Sequence, residues 1–396
     1  MRKLWITLSA IVLMITVACT ERQNKTVELW PAQVGDKWGY IDKEGVFVIS
    51  PQFSAAKEFS EGLAEIGIGG KVGLDEYPDA TKIIATDEYG NEYEYGVRIR
   101  CGYIDTNGKI VINPQFYNAD YFHEGMALVT MEKFGKRGFV DAQGNMVVFP
   151  QFDKAHCFSE GLAVVELNGK NGYIDKQGKY AISPQFDYAG DFNEGIAVVG
   201  LNGKSGYIDK QGKYVINPQF DDAGSFNEGL AVVKVNGKYG YINKQGKFVI
   251  NPQFDDAEKF YDGRAVVEVN GKYGYIDKQG VLVINPQFDE AEEFEDGLAV
   301  VEVNGKYGYI NKQGGFAINP QFDNAFDFKE GLAAIRIGLK WGYVDKNGNI
   351  IIKPQFDRAE SFKGDLAKVM QKTTGYVAWE KWGYVNKQGV VVFMEQ

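Results

Sequence analysis

Histidine and cysteine are almost absent from this 396-residue chain, at two and three residues. So few thiols exclude a disulfide-framed scaffold, and so few imidazoles leave little material for a zinc site or a Cys–His nucleophile. Positive charge is also short: 43 Lys and Arg against 53 Asp and Glu give a net charge of −10, which argues against nucleic acid and anionic lipid surfaces as partners. Gly-x-Ser-x-Gly and phosphate-loop motifs are missing. The one long apolar run, Leu4 to Val17, has 14 residues, short of the roughly 20 that a spanning helix needs.

That run follows Arg2 and Lys3 and ends at Ala18-Cys19, the charge, apolar core and small-residue order of a secretory signal over residues 1–18. Ile15-Thr16-Val17-Ala18-Cys19 resembles the lipobox of bacterial lipoproteins, which implies cleavage before Cys19 and lipid attached to it. Thr16 stands where that pattern usually has Leu, and Thr16-Val17-Ala18 also suits an ordinary cleavage site. The expectation is an exported chain held to a bacterial membrane by Cys19, on the periplasmic face or the cell surface, or else secreted. Removing Arg2 and Lys3 takes the net charge to −12. Residues 19–29 then comprise the lipidated Cys and a tether, polar from Thr20 to Val27.

From residue 30 to 396 the chain is a repeat. At the same place in ten units Gly precedes an aromatic, from Gly39-Tyr40 to Gly383-Tyr384, and between Gly138 and Gly342 the step is 34 residues throughout. A strict period of that length is one supersecondary unit copied in tandem. In the unit 230–263, Leu230 to Val235 is rich in β-branched residues, and Asn236-Gly237 predicts a type I′ hairpin into a second strand, Lys238 to Asn243. Asn243-Lys-Gln-Gly246 suits a type I turn closed by a left-handed Gly, leading to a third strand from Lys247 to Ile250. Gly240, within the second strand, marks a close approach, expected to be that of a neighbouring aromatic. Asn251-Pro252-Gln253-Phe254 is expected to break the ladder. Asp255, then Phe254, Ala257 and Phe260 at steps of three, predict a capped helical or 3₁₀ turn.

The fold expected is therefore all-β, about ten three-stranded antiparallel meanders in tandem. First and last units each contain all three strands, with none visibly shared between the ends. That favours an open solenoid or superhelix, with a closed β-propeller-like ring as the alternative.

Lys-Trp-Gly-Tyr at 37–40, 340–343 and 381–384, with Pro-Gln-Phe nine times in register and Glu-Gly-Leu-Ala downstream, resembles the WG-repeat (KWG) family of bacterial proteins. The resemblance covers residues 30–396 and implies a repeat architecture without implying catalytic or binding residues. Only three of ten units carry the Trp; Cys101, Arg137, Asn171, Ser205, Tyr239, Tyr273 and Tyr307 replace it elsewhere.

The period breaks most where a segment of about 75–100 is inserted. It carries Asp75, Glu76, Asp79, Asp87, Glu88, Glu92 and Glu94 with Tyr77, Tyr89, Tyr93 and Tyr95, and reads as an extra hairpin turned at Asp87–Gly90. Smaller insertions fall around Phe134-Gly135 and Thr373-Thr374-Gly375. All three lie at or just beyond the tip between the first two strands of a unit. Insertions in repeat arrays build binding loops, so Tyr77, Asp87, Glu88, Tyr89, Glu92, Tyr93, Glu94 and Tyr95 are the candidate binding residues. They suit a cationic peptide, or a sugar stacked on rings; an extension that merely covers an edge strand is the bland reading.

Catalysis finds little support. Glu61, Glu124, Glu160, Glu194, Glu228, Asp262, Asp296 and Glu330 precede the same turn Gly; a catalytic pair would stand apart from the repeat, and these are part of it. His123 and His156 read as surface substitutions rather than metal ligands. The Asp-x-x-Gly turns carry Lys after the acid in most copies, which suits turn geometry rather than calcium. Cys101 and Cys157 fall in adjacent repeats and are either one bridge or two half-buried thiols. The functional expectation is a non-enzymatic cell-envelope scaffold, with no cofactor and no metal, binding a protein or peptide through the repeat rim. A glycan-binding module, suggested by 14% aromatics, is the alternative, and a hydrolase a poor third.

Overall fold

Asn236 and Gly237 both have positive φ, 51° and 82°, so the type I′ turn read from Asn-Gly forms and pairs Leu230–Val235 with Lys238–Asn243 in full antiparallel register. At the next turn the Asn243 carboxamide oxygen accepts the N–H groups of Gln245 and Lys247 at 3.1 and 3.0 Å. Gly246, at φ 76°, completes the bulge read from the sequence. The computed structural model describes residues 28–72, 81–86, 92–373 and 379–395, and their side chains outside 71–97.

Two local expectations need correction. Pro252 does not end the third strand, which runs over Phe248–Phe254. Tyr239 pairs with Phe254 and Tyr241 with Ile250, so Asn251-Pro252-Gln253 bulges opposite the single residue Gly240. A methyl group on Gly240 would lie 2.6 Å from the Ile250 carbonyl oxygen and 2.6 Å from the Pro252 nitrogen. The glycine therefore admits backbone, not an aromatic ring. Second, the predicted helical turn is a two-residue strand, Asp256–Ala257, paired with Glu268 and Val267. Asp255 caps no helix: its carboxylate takes the Lys238 ammonium and the N–H of Asn270 at 2.8 Å. With two acceptor contacts already bridging one repeat to the next, its side chain has no helix terminus to serve.

The unit is consequently a four-stranded blade, not a three-stranded meander. Blade 6, for example, is Asp222–Ala223, Leu230–Val235, Lys238–Asn243 and Phe248–Phe254. We term these the short strand and strands A, B and C. Ten such sheets follow one another along the chain; blade 1 (residues 30–53) lacks the short strand, and blade 2 (55–116) has an additional one.

Hydrophobic cores lie between blades rather than within them. Leu230, Tyr241, Ile250 and Phe254 of blade 6 form one cluster with Ala257, Phe260, Ala265, Val267 and Ile276 of blade 7. Tyr241 is fully buried; its ring meets Phe260 at 4.9 Å, and its hydroxyl donates to the Glu258 carbonyl at 2.7 Å. The Glu-Gly turns add a polar clasp. Glu228, itself at φ 52°, accepts the Gly263 N–H at 3.0 Å and Lys278 Nζ at 3.1 Å, both from blade 7. Glu124, Glu160 and Glu194 make the same pair of contacts to the blade that follows each of them.

The same interface joins the last blade to the first. Tyr384 donates its hydroxyl to the Pro31 carbonyl at 2.9 Å. Leu366 and Tyr384 share a core with Trp30, Ala32 and Ile41, Phe47 meets Phe393 edge-on at 5.7 Å, and Lys363 reaches past blade 1, which lacks a short strand, to pair with Glu58 of blade 2. The chain is a closed ten-bladed ring, a β-propeller, and the expectation of an open solenoid is overturned. No strand is shared at the seam because none is needed: blade 10 presents to blade 1 the face that every other blade presents to its successor. An open array needs polar outer faces on its end repeats, whereas here the end faces carry Trp30, Ala32 and Ile41.

Two outcomes follow. Gly240→Ala overpacks the Pro252 bulge and should lower stability by about 1–3 kcal/mol, read as a reduced urea midpoint with unchanged slope. Small-angle scattering should give the profile of a disc, and Trp30→Ala combined with Tyr384→Ala should open the seam and lengthen the maximum dimension.

Candidate functional site

The two strands read from the insertion pair with each other. Thr81–Thr86 pairs with the long strand Glu92–Asp105, with Glu92, Tyr93, Glu94 and Tyr95 opposite Thr86, Ala85, Ile84 and Ile83. Glu92, Tyr93, Glu94 and Tyr95 thus stand on one strand that prolongs strand B of blade 2. Tyr77, Asp87, Glu88 and Tyr89 lie outside the described residues, as does Cys19.

Among the described residues, negative charge gathers elsewhere. An open cleft of about 480 Å³ runs along the short strands of blades 7 to 9, lined by Asp256 and Glu258, then Glu290, Glu292, Glu293 and Glu295, then Asp327. The repeat places these groups rigidly. Glu258 donates its N–H to Val266 at 2.9 Å and accepts the Tyr241 hydroxyl on its carbonyl. Glu292, 34 residues later, does the same with Val300 at 3.0 Å and Tyr275 at 2.7 Å. Both backbones are fixed by the fold, and adjacent sheets stack about 10 Å apart.

Three of the carboxylates are held above their ordinary range. Burial, then the neighbouring Asp256 and Glu293, raise Glu258; burial, then Glu290, Glu258 and Glu293, raise Glu292. Asp327 is pushed up to about 6 by burial and then by Glu292 and Glu295, and its Oδ1 is out of solvent without a hydrogen-bond partner. Part of the charge is answered locally: Lys329 pairs with Glu295, Lys259 with Glu293 at 3.6 Å, and Tyr307 donates to Glu290 at 2.8 Å. No ion pair among the described residues engages Asp256, Glu258, Glu292 or Asp327.

The equivalent groove in blade 2 shows what satisfies such a site. There Lys57 occupies the place of Glu258 and a buried Glu65 that of Val266, and the two pair at 2.5 Å. Blade 2 thus places a cation where blades 7 and 8 carry Glu258 and Glu292. Among the described residues no group of three or more His, Cys, Asp and Glu is placed to hold a metal. The cleft's charge is instead spread over three blades, an arrangement for an extended organic cation. Sequence reading missed it because each acid looks like an ordinary variable position; the signal was Glu recurring at 258 and 292 with Asp327 one place past the next period.

The remaining sequence candidates play local parts. Every turn acid with a described φ, from Glu61 to Glu330, sits in the left-handed region at 50–54°. His156 contacts Asp191 at 3.0 Å, whose carboxylate raises its pKa, and His123 is exposed. Cys101 and Cys157 are free thiols; burial and then Glu65 push the Cys101 thiol up to about 12.

Solved structures resemble the chain only distantly. A eukaryotic initiation factor has TM-score 0.48 at 10% identity over 93% of this chain and 97% of that one. Hsv2 from Kluyveromyces lactis has TM-score 0.34 at 10% identity over 67% and 96%, and virginiamycin B lyase from Staphylococcus aureus 0.30 at 13% over 71% and 97%. At these scores the likenesses carry no argument, and the ring rests on its own seam contacts. No curated protein matches the chain. The model of the WG-containing repeat matches nine successive segments, 38–71, 102–133, 138–170, 172–204, 206–239, 239–273, 273–307, 307–340 and 341–372. With most of its length accounted for by that repeat, and with the Gly and aromatic of each copy at a blade interface, the chain belongs to the WG-repeat family.

Proposed function

We propose that this propeller is a non-enzymatic interaction scaffold that receives a cationic segment of a protein or peptide partner in the acidic cleft of blades 7 to 9. The observation that carries this reading is the set of carboxylates, Asp256, Glu258, Glu292 and Asp327, gathered in one cleft with no ion pair to any of them among the described residues. Leaving such groups unpaired is costly, and a bound cation removes the cost. Lys or Arg at every third residue of an extended segment would step by about 10 Å, matching the blade spacing. The conserved geometry of the blades supports a scaffold rather than a catalyst, because their polar groups are occupied in holding blade to blade. Arg2-Lys3, the apolar run and Ala18-Cys19 support export, a lipid anchor on Cys19 and a cell-envelope location for the scaffold. No described side chain favours a sugar over a peptide.

Calorimetric titration with an extended peptide bearing Lys at every third residue should show saturable binding that weakens with salt. Glu258→Gln with Glu292→Gln should weaken it about tenfold, while a glutamate-bearing counterpart should not bind; equal affinity for both peptides would refute the assignment.

The pH dependence has a defined sign. Asp327 is protonated more readily in the folded chain than in the unfolded one, so between about pH 4 and 6 stability should fall as pH rises. Cation affinity should rise over the upper part of that window as the carboxylate ionises. Asp327→Asn should flatten both trends and raise the melting temperature at neutral pH, as checked by thermal melts and titrations at pH 5 and 7.5.

A further inference from the structure

Blade 1 is built differently from the other nine, and the difference opens a groove at the seam. Its strand A, Trp30–Val34, pairs among the described residues with Lys37–Ile41 on one side only. In every other blade a short strand covers the second edge. Blade 10 shows the pattern: Arg358 and Ala359 pair with Met370 and Val369, and the Asp357 and Glu360 N–H groups donate to the Met370 and Lys368 carbonyls, both at 2.9 Å. Blade 1 offers the same two acceptors, the Gln33 and Pro31 carbonyls, on the side of strand A turned away from Lys37–Ile41. Pro31 brings no N–H, and the position needs none, because blade 10 engages it through its carbonyl. An edge with open acceptors is a template for a further strand.

The groove at this place measures about 540 Å³, apolar at Leu29, Trp30 and Phe59 and acidic at Glu28, Glu58 and Glu61. The polar clasp is absent there too. Thr106 lines the groove and stands where Lys210, Lys244 and Lys278 reach the acid of the preceding blade; Val27 stands where that acid would be. The seam core is also less complete than the others. Tyr241 meets Phe260 and is fully buried, whereas Tyr384 is joined by Trp30, which replaces the Ala of the other blades, and stays 6% exposed. Nine blades show what fits such an edge: Ala-x-x-Phe precedes strand A in each, as Ala359 and Phe362 precede Leu366. In the same register Arg22 and Lys25 precede Leu29, so the chain does not itself supply this pattern to blade 1.

We infer that the open edge of blade 1 accepts an extended segment of another protein, carrying Ala-x-x-Phe beside basic side chains. The segment pairs with strand A as the short strand does elsewhere, an addition whose affinity comes from main-chain hydrogen bonds and whose specificity comes from side-chain pockets. Its ring lies against Trp30 and Phe59, and its basic groups answer the acids of the groove. This site is separate from the acidic cleft of blades 7 to 9, and its test separates the two. Full-length protein is titrated calorimetrically with a synthetic peptide copying residues 357–364, which holds Arg358, Ala359, Phe362 and Lys363. The peptide should bind saturably, and Glu258→Gln with Glu292→Gln should leave its affinity unchanged. Phe362→Asp in the peptide, or Glu360→Pro, which removes the N–H destined for the Pro31 carbonyl, should weaken binding about tenfold. A photo-crosslinking residue at position 106 should label the peptide. One at position 210, the same turn of blade 5, should not, because blade 4 has its own short strand. No saturable binding, undiminished binding of the proline-bearing peptide, equal labelling from 106 and 210, or labelling from 106 that falls on residues 20–27 of the same chain or on a second copy in place of the peptide overturns the inference.

Discussion

One aromatic ring per blade, a tyrosine everywhere but blade 3, where it is Phe139, is buried in the face of its neighbour and is the contact on which the architecture depends. Tyr241 belongs by sequence to blade 6, yet its ring lies against Phe260 and its hydroxyl meets the Glu258 carbonyl, both of blade 7. Tyr40, Tyr103, Tyr173, Tyr207, Tyr275, Tyr309 and Tyr343 do the same to the blades after them. The glycine before each tyrosine lets the Pro-Gln-Phe bulge lie flat across strand B, which fixes the phenylalanine that completes the core. No blade owns its core, so order in one requires order in the next.

This dependence explains what the sequence disclosed and what it concealed. Turns were legible because their chemistry is local: Asn236-Gly237 and Asn243–Gly246 carry their geometry in adjacent residues. The short strand at Asp256–Ala257 was misread as a helical turn because Phe254, Ala257 and Phe260 have helical spacing. That spacing instead sets inward side chains on a chain crossing from one sheet to another. Ring closure was hidden by distance, since Pro31 and Tyr384 are 353 residues apart. The missing polar cap on the terminal repeats was the available clue. The acidic cleft is likewise a product of stacking, because Glu258, Glu292 and Asp327 meet only when three blades are assembled. The inserted hairpin was found because it interrupts a period.

Repetition also separates structure from use. The aspartate after Pro-Gln-Phe, the turn acid and the lysine of the B–C turn recur because each spans an interface; Asp187, Asp221 and Asp289, for instance, each join a lysine of their own blade to the following tip. Positions that vary are those the interfaces do not consume. The residue whose carbonyl meets the tyrosine is Lys57, Asp120, Gly190, Gly224, Glu258, Glu292, Phe326 and Glu360 in turn. A fixed backbone thereby carries nearly any side chain, and a recognition surface can change without disturbing the ring.

Uniform interfaces make the position of the chain's ends incidental to its shape. Glu28 lies beside Gly364, so the first described residue sits against the last blade, and the seam, like the other interfaces, buries a tyrosine whose hydroxyl donates to a carbonyl of the next blade. The ring therefore has no structural origin: its order would survive a circular permutation that joined the present ends and reopened the backbone at an Asn-Gly tip of blades 4 to 8.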